Sequence, residues 1–139
     1  MFWQPKSLLW AWACLFPTLA SSFALDDIKG RWAGESTSAY YRPKEPIPDY
    51  YTITRTVILI QDSGLFTGEF ANGCVFRGQI MRSSSKQFPI QGFMGNCEEL
   101  RLNGRFDGMF NASGKLRIII RDKTLGRGDF YGQLKFGAM

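Results

Sequence analysis

From residue 28 onward the chain repeats one short pattern, in which two large apolar residues flank a glycine with one further residue on either side of it. It occurs as Ile28-Lys29-Gly30-Arg31-Trp32, Phe66-Thr67-Gly68-Glu69-Phe70 and Phe76-Arg77-Gly78-Gln79-Ile80. It returns as Ile90-Gln91-Gly92-Phe93-Met94, Leu102-Asn103-Gly104-Arg105-Phe106, Phe106-Asp107-Gly108-Met109-Phe110 and Phe130-Tyr131-Gly132-Gln133-Leu134. Side chains alternate across a β-strand, so positions i, i+2 and i+4 share a face. Each copy therefore places two bulky groups on one side with a gap between them, and mostly polar residues on the other. Glycine weakens a flat strand, but it permits bending and leaves room for a facing ring. Inward glycines interleaved with inward phenylalanines predict a closed or nearly closed barrel.

Turn signals divide the repeats. Asp62-Ser63-Gly64 should reverse the chain between strands over 52–61 and 65–70. Ala71-Asn72-Gly73 is a hairpin signal leading into 74–82, and Asn111-Ala112-Ser113-Gly114 separates a strand around 106–110 from one over 115–121. The last strand is expected over about 129–136, entered through 123–128. No window carries sustained helical periodicity, and a single turn over 25–29, begun by Asp26 and Asp27, is the one helical element expected. The expected fold is all-β: an antiparallel up-and-down barrel of eight or nine strands with a short N-terminal helical turn. A flattened two-sheet sandwich is the alternative.

The first 24 residues differ from the rest. One charge, Lys6, precedes an apolar run from Leu8 to Phe16, and Ser22-Phe23-Ala24 supplies the small-x-small pattern of a signal-peptidase site. The run falls short of the roughly 20 residues a membrane anchor needs. Residues 1–24 are expected to be a signal peptide and 25–139 a single domain, exported to the periplasm or secreted. Lipid anchoring through Cys14 is the rival, but Ala11-Trp12-Ala13 lacks the aliphatic residue usual before such a cysteine.

Removal of the leader leaves 115 of the 139 residues, enough for one core, with 16 basic against 12 acidic side chains. Trp32 is the tryptophan retained. Cys74 and Cys97 are the cysteines retained, and an even pair in an exported chain predicts a disulfide, against two buried free thiols. Closing a loop of about 24 residues should stabilise the fold by roughly 3 kcal/mol.

A short turn followed by Gly30-Arg31-Trp32 at the head of a meander resembles the start of a lipocalin or avidin-type barrel. The same layout is found in small exported bacterial barrels, including periplasmic inhibitors of hydrolases. The lipocalin resemblance implies a basic side chain packed over Trp32, for which Lys135 is the nearest candidate. Avidins surround biotin with several tryptophans; with Trp32 alone, biotin binding is not expected.

The chain contains no histidine, which removes Ser-His and Cys-His nucleophile pairs and imidazole metal sites. Glu98 and Glu99 are adjacent, so on a strand they would face opposite sides. Asp26 and Asp27 suit a helix start, Glu69 and Asp107 occupy outward positions, and no phosphate-cradling glycine cluster precedes a helix. No enzymatic activity, catalytic residue, metal or cofactor is expected. Asn111-Ala112-Ser113 would accept a glycan only in a eukaryotic secretory pathway.

Two features could carry binding. The connection 39–49 holds Tyr40, Tyr41, Arg42 and three prolines, and Tyr50 and Tyr51 follow it. It should act either as a contact surface or as a plug over one barrel end. The segment 115–123 should turn Leu116, Ile118 and Ile120 inward and Lys115, Arg117, Arg121 and Lys123 outward. That stripe would serve an acidic protein, an anionic glycan or a lipid headgroup, or simply keep an outer face soluble. Nucleic acid is not an expected partner. The expected function is an exported cell-envelope module that recognises or inhibits another protein; the alternative is a lipocalin-like carrier of a small apolar ligand.

Overall fold

The computed structural model describes residues 25–81, 86–121 and 125–137. Eight strands follow one another: β1 (Gly30–Tyr41), β2 (Tyr50–Ile60), β3 (Leu65–Phe70), β4 (Val75–Ile80), β5 (Gln87–Gly95), β6 (Gly104–Asn111), β7 (Lys115–Arg121) and β8 (Arg127–Phe136). Each pairs antiparallel with the next, and β8 pairs back onto β1 to close the barrel. The up-and-down barrel expected from the repeats is present with eight strands, and the sandwich is excluded by that closure.

The register fixes the tilt. From Arg31 on β1, cross-strand partners run through Leu59, Thr67, Arg77, Phe93 and Arg105. One step past the Phe106–Ile120 pair lies Arg121, which pairs with Arg127, which pairs with Tyr41. One circuit thus returns to β1 ten residues further along. That stagger tilts every strand across the barrel axis.

The interior is a stack of rings. Phe66, Phe70, Phe76, Phe106, Phe110 and Phe130 are all buried, as the repeat predicts. Ring contacts run from Phe66 to Phe76 to Phe70 to Phe130, with centroids 6.1, 5.2 and 4.8 Å apart. The glycines make the space for them. Gly68 stands opposite Phe76, whose ring covers it, and the rings of Phe66 and Phe106 lie against Gly78 and Gly92. Hydroxyls interrupt this apolar wall on β1 and β2, where Thr56 donates to Ser36.

The two ends close differently. At the first, the carbonyl of Leu25 accepts from Ile28 and Lys29, a single turn rather than a helix. Ile28 is buried, and its carbonyl accepts Nε1–H of Trp32 at 2.8 Å. The Trp32 ring meets Phe110 and Phe136 edge-on at 5.0 and 5.2 Å. Lys135 does not cover Trp32: it pairs with Ala33 on the outward side and is exposed, and Phe136, one position on, takes that contact. At the opposite end a disulfide joins Cys74, just before β4, to Cys97, just after β5.

Glu98 and Glu99 lie on no strand. Glu99 caps a 3-10 turn (Leu100–Leu102) that leads into β6 and drops Leu102 into the core. Arg101 of this turn holds Glu99 through two nitrogens, at 2.7 and 3.1 Å, and Asp49 at 2.7 Å. Its guanidinium also lies 4.2 Å from the centroid of Tyr40. One side chain thereby ties the β1–β2 loop to the β5–β6 connection. These bonds raise the affinity of Arg101 for its proton, and its donation to Glu99 holds that carboxyl below the usual range.

Candidate binding surface

The strands turn their charged positions outward, among exposed apolar residues such as Ile53, Leu59 and Phe93, and the inner face is apolar. Arg55, Glu69, Arg77, Arg105, Asp107, Arg117 and Lys135 are all exposed. Charges spread over this face differ from a transmembrane barrel, whose lipid-facing side is apolar. No described helix is long and apolar enough to cross a membrane.

The tyrosine-rich connection divides its residues between core and surface. Tyr40 is buried, and Tyr50 packs on the core from the next strand. Tyr51 is half-exposed and Tyr41 lies on the outer face under Arg127, 4.6 Å from ring to guanidinium. Arg42 is exposed and stands 3.6 Å from Asp49. The loop therefore supplies one core ring and otherwise projects outward, with Ile47 exposed at its tip.

The basic stripe on β7 has the expected faces: Leu116, Ile118 and Ile120 are buried, while Lys115, Arg117 and Arg121 point out. Lys123 lies outside the described residues. Its arginines are not equivalent. Arg117 forks onto Asp129 of β8 at 2.9 and 3.2 Å, which raises its proton affinity, and Arg127 approaches the same carboxylate at 3.9 Å. Asp129 is buried beneath them. Arg121 has no carboxylate within ion-pair distance among the described residues.

No protein-family model and no curated protein matches the chain.

Among the described residues, three arginines without a carboxylate partner line up across the strands rather than along β7. Arg77, Arg105 and Arg121 belong to the single outward row traced by the register, with Phe93 between the first two and Arg127 and Tyr41 after the third. The guanidinium of Arg105 lies 5.5 Å from the centroid of Phe93. Adjacent strands stand about 4.8 Å apart, so consecutive members of the row are near neighbours. The row forms a ridge. On one side runs an open groove of about 770 Å³ floored by Gly78 and Gly92 and walled by Gln79, Gln91 and Asp107. On the other is a groove of about 660 Å³ bounded by Val57, Glu69 and Val75.

Arg77, Phe93 and Arg105 were not among the residues singled out from the sequence. The signal was present: each is an outward member of a glycine repeat, at Phe76-Arg77-Gly78, Gly92-Phe93-Met94 and Gly104-Arg105-Phe106. Only the register shows that they share a line.

Chemically, the surface offers charge, hydrogen-bond donors and exposed rings, with Phe93 in the arginine row. Among the described residues no cluster of three His, Cys, Asp or Glu side chains could hold a metal.

Proposed function

We propose that residues 1–24 direct export and that the barrel is a cell-envelope binding module that recognises or inhibits another protein. The filled interior is the observation that carries this reading. The gaps left by Gly68, Gly78 and Gly92, which could have opened a ligand chamber, are occupied by Phe76, Phe66 and Phe106. A carrier of a small apolar molecule needs a concave apolar pocket of some 300 Å³ or more. The described grooves of at least that size are open and on the outside, where charged side chains such as Arg77 and Glu69 stand among apolar ones such as Leu65 and Phe93. Recognition by this fold is thus an affair of its outer surface.

The full chain, exported in a bacterial host and carrying a photo-crosslinking residue at Ile47 or Phe93, should form a discrete adduct with one envelope protein. Recovery of the barrel with a stoichiometric apolar small molecule in native mass spectrometry, and no protein adduct, would reverse the assignment in favour of a carrier.

A further inference from the structure

We infer that the outward row Arg77–Phe93–Arg105–Arg121–Arg127 is the recognition face, and that it takes an acidic, extended segment of a partner protein. The inference rests on the binding-module reading and adds to it a location and a chemistry.

The row violates a local rule of sheet design. Like charges directly opposite one another on neighbouring strands destabilise a sheet. Arg121 and Arg127 are a directly opposed pair, and Arg105 is the next member of the same line. Asp129 serves Arg117 and Arg127 from beneath them on the same outer face. Asp107, two residues from Arg105, is the acid that shares an open groove with Arg105 and Arg121, and no ion pair joins it to either. Positive charge is therefore concentrated along this line, and among the described residues Arg77, Arg105 and Arg121 have no carboxylate partner. A partner bringing carboxylates would relieve that repulsion on binding.

The geometry favours an elongated occupant. Five strands at about 4.8 Å spacing make a track of roughly 20 Å, the reach of six or seven extended residues. Guanidiniums hold carboxylates through paired hydrogen bonds, and their planar forks favour that geometry over a point contact. Phe93, second along the track, is 56% exposed, and an apolar side chain of the segment can cover it there. The glycine-floored groove beside the ridge admits side chains on alternate positions, with Gln79 and Gln91 able to hydrogen-bond the backbone.

Fluorescein-labelled decaglutamate, with decaglutamine as control, provides the direct probe by anisotropy on the full exported chain. Decaglutamate should bind, more weakly as salt rises, and decaglutamine should not. The triple variant Arg77→Gln, Arg105→Gln, Arg121→Gln should bind roughly tenfold or more weakly. An equal charge change at the exposed Arg55, Lys86 and Lys135 should alter binding less than about twofold. Equal losses in the two triples would overturn the inference, because bulk charge rather than the row would then be responsible. Absence of decaglutamate binding, or stronger displacement by polygalacturonate or by oligothymidylate than by unlabelled decaglutamate, would also overturn it. The crosslinked envelope adduct separates the two levels. If it forms equally well with the row triple, the row is wrong and the binding module stands; if it never forms with wild type, the module itself fails.

Discussion

The ring of Phe76 on β4 occupies the place of a side chain at Gly68, its directly opposed partner on β3. A Cβ added at Gly68 would lie within 2.7 Å of two further ring carbons of Phe76 as well as against its tip. The two positions are one packing unit, in which the absence of a side chain on one strand admits a large ring from the next. Gly68→Ala should cost about 1–3 kcal/mol, the usual penalty of overpacking. The same substitution in a Phe76→Leu background should cost less, because the smaller side chain can move aside. Urea denaturation of the four members of this cycle measures the coupling. Equal penalties in both backgrounds would show that Gly68 is required for its backbone and not for the space above it.

Phe76 is also the centre of the ring chain, touching Phe66, Phe70 and Phe106. Phe76→Ala is expected to destabilise by about 3–5 kcal/mol, the range for emptying a large aromatic site. Surface Phe93→Ala should change stability by less than about 1 kcal/mol, so the pair distinguishes inner from outer rings on adjacent strands.

Reduction should weaken the end of the barrel that carries the β1–β2 loop. The Cys74–Cys97 bond staples the start of β4 to the end of β5, strands already paired through Val75 and Gly95. The double variant Cys74→Ser, Cys97→Ser is expected to lose about 3 kcal/mol. Dithiothreitol should lower the melting temperature of the wild type and leave that variant unchanged.

Acid should undo one specific tie. Hydrogen bonding from Arg101 holds the Glu99 carboxyl below the ordinary glutamate value. Its folded pKa is thus below its unfolded pKa of about 4.3, so it stabilises the fold when ionised. That contribution is complete above the unfolded value and is lost as pH falls through the lowered folded value. Glu99→Gln should therefore melt earlier than wild type at pH 7 and together with it near pH 2. Arg101→Lys, which keeps the charge but loses the fork, should show most of the neutral-pH deficit. A constant gap across the titration would mean that Glu99 acts through packing alone.

The proposed leader gives a further check. An exported chain should have Leu25 as its first residue by intact mass, and Trp32 would then be its one indole. Trp32 is buried and donates to the Ile28 carbonyl. Trp32→Phe leaves that carbonyl without its partner, a cost of about 1–3 kcal/mol. A mass that begins at Cys14 with added acyl chains would replace the secreted form with a lipid-anchored one.

The barrel was legible in the sequence because the glycine repeat encodes face and curvature together. Phe66, Phe76, Phe106 and Phe130 all lie inside, where alternation puts them. Features that depend on which strand lies beside which were not. The partnership of Arg117 with Asp129 joins residues twelve apart across a hairpin, and it removes one arginine from the stripe read along β7. The line from Arg77 to Arg127 joins positions on five strands, and a slip of one residue in any pairing would break it. Arg101 escaped notice for a different reason. Its segment lies in a turn, where alternation says nothing, and its role comes from bridging Asp49 and Glu99.

The seam between β1 and β8 has a practical meaning for how such a molecule can be joined to others. Gly30 meets the Phe136 ring, so the polypeptide enters and leaves the barrel at one rim, away from the disulfide and the projecting β1–β2 loop. A short peptide bridge could splice these two points and move the chain ends into a hairpin at either rim. A fluorophore, affinity handle or fused domain attached there would hang from the base and leave the opposite rim unobstructed.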